Sequence, residues 1–151
     1  MTVLVLLLGA ERYGVPTSQV REVIFHQDPT PVPRTPPFVL GVVNLRGQIL
    51  PVVDLRARFG MPPEKPRYIV VLELGELSVG VTVDDVLGVE ELREDEVEPP
   101  SRMLTTVDNQ FLRGIVRQED ALLMVLDMNI GLLRPEEAAE LADLRQGSQH
   151  V

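Results

Sequence analysis

The chain has 151 residues, a formal net charge of −9, 44% hydrophobic residues, 4% aromatics and no cysteine or tryptophan. That length and hydrophobic share suffice for one ordinary domain with an aliphatic core and argue against global disorder. The acidic balance and scarce aromatics disfavour phosphate-backbone binding and base stacking, and the missing cysteines exclude disulfides, a thiolate nucleophile and thiolate metal sites.

The opening MTVLVLLLG is too short and lacks the basic flank of a signal peptide, so it is expected to be a buried strand. No apolar run approaches the roughly 18 residues of a membrane helix, so direct membrane insertion is not expected. Residues 2–8 and 11–16 are predicted to form a hairpin, followed by one helical turn over 17–21 with Thr17 or Ser18 as its cap. A strand through Glu22 to His26 precedes DPTPVPRTPP, whose five prolines predict a stiff extended loop. Strands 38–45 and 48–54 flank Arg46-Gly47, where Gly47 can take positive φ. DLRARFG predicts a short helix with Asp54 near its start and Gly60 at its end. A link near 61–67 leads to a second hairpin, 67–74 and 77–83, then strands near 86–92, 111–117 and 121–128. EELREDEVEPP is expected to be a solvated acidic connector. PEEAAELADLRQ predicts a helix, with Pro135 in its first turn and an apolar face of Ala138, Ala139, Leu141, Ala142 and Leu144. The domain boundary implied is 1–134, followed by a helix and tail over 135–151.

The two halves share one pattern. Leu8, Gly9, Gly14 and Val15 recur 66 residues later as Leu74, Gly75, Gly80 and Val81. Gly41, Val43, Val52 and Asp54 recur 73 residues later as Gly114, Val116, Val125 and Asp127. Turn glycines repeating in order indicate a duplicated β unit rather than chance. Either unit alone would be marginal.

The usual signatures of chemistry are missing. Only His26 and His150 are histidines, and no zincin, Walker or dinucleotide-binding motif is present. Asp84-Asp85 is the most suggestive carboxylate pair, but adjacent strand-end acids point to opposite faces and more simply hold a turn or stay solvated. The chain is therefore expected to work by contact. Arg46, in the N-L-R-G turn, is a charge on a rigid apolar scaffold, the composition of an interface hot spot. Glu22, in V-R-E-V, is its candidate partner. Such an exposed pair adds little stability, so its value would be to present the guanidinium. Glu119 occupies the place of Arg46 in the second half, so the repeat does not demand an arginine there.

The strings L-G-x(4)-Y-G-V-P-x(3)-V-R-E-V and P-R-T-P-P-F-V-L-G-V-V-N-L-R-G-Q-I-L-P-V-V-D-L-R, continued by G-V-T-V-D-D-V-L-G-V, F-L-R-G-I-V and L-L-M-V-L-D, resemble the CheW family of chemotaxis coupling proteins over residues 3–133. The resemblance implies an all-β fold of two small five-stranded SH3-like barrels packed together, here with a C-terminal helix. It implies no catalysis and no cofactor or metal. It implies a cytoplasmic adaptor joining the histidine kinase CheA, through that kinase's own CheW-like regulatory domain, to the cytoplasmic tip of methyl-accepting chemoreceptors in membrane-associated arrays. On this likeness Arg46 and Glu22 take the receptor and kinase contacts, and a groove between the barrels draws on Val20, Val43, Leu45 and Ile49. Two departures are the absence of a short polar leader and the unusual proline content of loop 29–37. The stand-alone length points to the coupling protein proper rather than a fused kinase or receiver form.

Three other readings compete. One is a CheW-like scaffold of a different chemosensory-type pathway with other partners. Another is a small β-barrel enzyme or ligand-binding domain using Asp84, Asp85 and Asp127. The third is an SH3-like nucleic-acid binder, which the charge opposes.

Overall fold

The computed structural model describes residues 1–100, 111–132 and 137–142. Eleven strands are found in this part of the chain: β1 (Thr2–Leu8), β2 (Glu11–Pro16), β3 (Val20–Phe25), β4 (Val39–Leu45), β5 (Gln48–Val53), β6 (Tyr68–Leu74), β7 (Leu77–Val83), β8 (Asp85–Glu91), β9 (Val97–Glu98), β10 (Leu112–Arg117) and β11 (Leu122–Leu126). Two single-turn helices, α1 (Leu55–Arg58) and α2 (Met128–Gly131), each follow an apolar strand ending in aspartate. Asp54 accepts from the Ala57 amide at 3.2 Å and Asp127 from the Asn129 amide at 3.0 Å, so each aspartate caps the helix behind it.

The strands make two curled sheets. One is six-stranded in the order β8-β1-β2-β11-β10-β9; the other is five-stranded, β3-β6-β7-β5-β4. Neither sheet corresponds to a half of the sequence. The hairpin β1–β2 of the first half sits among β8, β10 and β11 of the second, while β6–β7 sits among β3, β4 and β5. The exchange obeys the repeat. Val5 opposes Gly14 as Val71 opposes Gly80, and Gly41 opposes Val52 as Gly114 opposes Val125. The two parallel joins match as well, Val52 to Gly80 and Val125 to Gly14.

Alternation along the exchanged strands builds the cores. Val3 and Val5 of β1 point into the six-stranded barrel with Val116, Leu123 and Val125. Their repeat partners Ile69 and Val71 point into the five-stranded barrel with Val43, Leu50 and Val52. The intervening residues Leu4, Leu6, Val70 and Leu72 face the other way. They join Val15, Val81, Val53 and Leu126 in a third apolar layer between the barrels. Because β1 and β6 are apolar on both faces, each serves one barrel and the shared layer together.

Several expectations change. The turn before β3 is a three-residue 3₁₀ segment, Thr17–Gln19, with Pro16 at its N-cap position and no side-chain cap, and Val20 is already extended. The acidic stretch is not a plain connector: Glu90 and Glu91 end β8, Glu94–Glu96 form a 3₁₀ turn, and Val97–Glu98 pair with β10 as a sixth strand. In the other barrel Thr30 of the proline-rich loop makes the equivalent contact as a lone bridge to Val42. Both contacts cover an outer sheet edge that would otherwise expose unpaired backbone groups. Residues 137–142 are helical, and Leu141 is fully buried in the shared layer. Leu144 lies outside the described residues.

Candidate functional site

Leu45 pairs with Gln48, so Arg46 and Gly47 alone make the β4–β5 turn. Both have positive φ, 50° and 84°, as a type I′ hairpin requires. The Gly47 amide donates to Asn44 Oδ1 at 2.8 Å, which pins the turn. Asparagine or glycine normally fills the first of these positions, whereas an arginine there is held in a conformation that its Cβ opposes. Its guanidinium reaches Glu22 of β3 through Nη2 and Oε2. β3 and β4 are the two edges of the five-stranded sheet, so this ion pair spans the seam where the barrel closes. Arg21 stands beside it, with Nε 3.6 Å from Glu22 Oε2 and Nη1 3.5 Å from Gln48 Oε1. The hydrogen bond from Arg46 holds the Glu22 carboxyl below its ordinary range, with the charge of Arg46 and Arg21 adding to it. Arg46 stays 62% exposed, so an oriented cation faces solvent.

The second barrel closes differently. Gln118 Nε2 donates to Glu90 Oε2 at 2.9 Å, and the turn carries Glu119 and Asp120. Arg21, the extra residue of the bulge in β3, has Leu87 as its repeat partner in the matching bulge of β8. One seam is thus cationic and knitted by charge, whereas the other is acidic with an exposed leucine.

The apolar residues expected beside Arg46 divide. Val20 is half-buried against the shared layer, and Ile49 is half-buried. Val43 and Leu45 are 5% and 8% exposed and belong to the barrel core. Alternation turns them inward, so they shape the wall and offer a partner almost no surface. Among the described residues the large exposed apolar side chains are instead Val23, Phe25 (78%), Leu40, Leu87 and Val89 (61%). Val23 opposes Val70, Phe25 opposes Tyr68 and Val89 opposes Leu4. Residues directly opposed on antiparallel strands share a face. The edge strands β3 and β8 therefore carry the face of the shared layer outward as two apolar lips. The available signal was that V-R-E-V-I-F is apolar on both faces, more than a barrel wall with one solvated side needs.

The carboxylates proposed as a ligand site are engaged separately. Asp84 takes Arg56 Nε at 3.1 Å, Arg56 Nη2, and the Gly9 amide at 2.6 Å. Asp85 accepts from the Val86 amide, and Asp127 from Gln19 Nε2 at 2.9 Å. Among the described residues no three metal-ligating side chains gather, and no helix there is long and apolar enough to cross a membrane. The buried Arg56 was absent from the sequence reading, because an arginine in D-L-R-A-R looks like a solvated helix residue.

Comparison with known proteins places this geometry. A profile of the CheW-like domain matches residues 2–133. The chain is 33% identical to the chemotaxis protein CheW of Klebsiella aerogenes over 139 residues, covering 90% of this chain and 83% of that one. It is 31% identical to the CheW of Treponema pallidum, covering 91% and 84%. The crystal structure of the scaffolding protein TtCheW from Thermoanaerobacter tengcongensis superposes with a TM-score of 0.79 at 33% identity, covering 89% and 88% of the two chains. With the motif resemblance, the twinned barrels and these matches in agreement, the chain belongs to the CheW-like domain family.

Proposed function

We propose that this chain is a non-catalytic adaptor of chemotaxis-type signalling, which couples receptors to the histidine kinase CheA at the cytoplasmic face of receptor arrays. The observation that carries the site assignment is Arg46. A guanidinium held at positive φ, tethered by Glu22 and left open to solvent is backbone strain kept at a contact point. Glu22 is the orienting partner. Val20 and Ile49 supply half-buried apolar surface near the seam, while Val43 and Leu45 act by holding the wall rigid. The apolar lips on β3 and β8 border the space between the barrels, and a helical receptor segment fits there in a helix-in-groove mode. The relatives' names support the pathway: the similar proteins are named chemotaxis proteins and, in one case, a scaffolding protein.

The test is binding of the full chain to the regulatory domain of the CheA kinase from the same organism and, separately, to a receptor cytoplasmic fragment. Arg46→Ala and Glu22→Ala are compared with wild type after circular dichroism confirms their fold. Both variants are expected to bind at least one partner more weakly, Arg46→Ala the more strongly affected. Wild-type protein that binds neither partner would defeat the adaptor reading. Unchanged affinity for both partners in Arg46→Ala would defeat the site assignment alone.

A further inference from the structure

Strand exchange makes the chain cross between barrels at two places, after β2 and after β7. A polar side chain is tied down at each. At the first crossing Gln19, 8% exposed, donates to Asp127 and accepts from the Met128 amide at 3.2 Å. At the second crossing stands Asp84. Its own amide donates to the Leu7 carbonyl at 3.0 Å, and its carboxylate takes the Gly9 amide from the six-stranded barrel and Arg56 from α1 of the five-stranded one. Arg56 Nη1 also donates to the Pro62 carbonyl at 3.0 Å, which brings in the link between the repeats. Arg56 is 8% exposed, so this charge is buried because it is paired. The repeat does not demand the arrangement: Ser18 and Asn129 stand at the equivalent positions.

Apart from Arg58 Nε, which donates to the Leu132 carbonyl at 2.9 Å, the described residues between the barrels otherwise form an apolar layer, which holds them together without direction. Bidentate guanidinium–carboxylate geometry supplies direction. We infer that Arg56 and Asp84 form the clasp that fixes the angle between the two barrels and so sets the spacing of the apolar lips on β3 and β8. They are positioning residues that touch no partner. Gln19, tied to Asp127 and the Met128 amide, holds the opposite crossing without a cation. The inference concerns the chain by itself and does not depend on the identity of its partners.

The absence of cysteine allows spin labels to be placed cleanly. One pair, Glu73→Cys with Asp120→Cys, spans the barrels; a second, Asn44→Cys with Glu73→Cys, lies within the five-stranded barrel. Distances are measured by double electron–electron resonance in the parent and in Asp84→Asn, Arg56→Gln and the milder Arg56→Lys. The expected result is loss of the single narrow inter-barrel peak in the first two, partial recovery in Arg56→Lys, and an unmoved within-barrel peak throughout. An inter-barrel peak that stays narrow in folded Asp84→Asn or Arg56→Gln overturns the inference. So does equal broadening of both label pairs, because the clasp would then serve general folding rather than the angle.

Discussion

Replacing Gly41 by alanine tests how the proline-rich loop is held. Gly41 stands at φ +147°, and a Cβ there would lie 2.1 Å from the Thr30 carbonyl oxygen and 2.9 Å from the Pro31 nitrogen. Both obstacles are backbone, so neither can rotate aside. The loop must leave, and with it go the Thr30 amide bond to Val42 at 2.8 Å and its reciprocal at 2.9 Å. The φ strain costs about 1–3 kcal/mol, and two net hydrogen bonds about 1 kcal/mol each, so the expected loss is about 3–5 kcal/mol. The repeat supplies the control. At Gly114 a Cβ would meet Val97 Cγ1 at 2.3 Å and the Glu98 carbonyl at 2.7 Å, without positive φ. Overpacking alone predicts about 1–3 kcal/mol there. Urea denaturation followed by circular dichroism measures both. Trypsin should also cut faster after the exposed Arg34 in Gly41→Ala. A loss below about 1 kcal/mol, or a larger loss at Gly114 than at Gly41, would refute the reasoning.

Asp84 predicts an acid limb. Burial alone would raise its carboxyl, but the hydrogen bonds from Arg56 and Gly9 outweigh burial and hold it below the ordinary 3.8. A depressed acid stabilises fully above its unfolded value and loses that contribution as pH falls through the folded one. Urea midpoints of wild type and Asp84→Asn should therefore differ at neutral pH and converge below about pH 4; parallel curves would contradict this. Arg56→Ala leaves Asp84 largely buried without its cation and is expected to cost about 2–4 kcal/mol, less than a fully buried pair because Asp84 keeps 21% of its surface; an unchanged urea midpoint would show that the pair is not held. Leu72→Ala in the shared layer should cost about 2–5 kcal/mol and keep one cooperative transition; two separate transitions would show that the barrels fold independently. Residues 1–66 expressed alone should lack stable structure and regain strand signal only when mixed with 67–151, since each barrel needs the other half's hairpin. Arg46→Asn should raise the urea midpoint, because asparagine suits the type I′ turn, while weakening the partner contact; a lowered midpoint would mean that the ion pair outweighs the turn.

Local signals carried much of this fold. The apolar runs TVLVLLL and YIVVLEL, the two-residue R-G turn and the capping Asp54 each depend on neighbours a few residues away, and every described strand but β9 lies within a residue or two of its expected place. The Glu22–Arg46 pair was legible because the turn fixes one member and β3 the other. That Val43 and Leu45 turn inward was not legible, since alternation says that two faces differ but not which one faces water. The exposure of Phe25, Val23 and Val89 was hidden for the same reason.

Composition, spacing and the glycine repeat thus determined an all-β duplication, because strand period and turn geometry are properties of the chain itself. Only the tertiary structure decided that the hairpins exchange between barrels. The pairing of β1 with β8 and of β7 with β5 joins residues far apart in sequence, and identical repeats could as well have paired within their own half. That exchange created the shared apolar layer, the two crossings and the buried Arg56–Asp84 contact, none of which exists until both halves are in place.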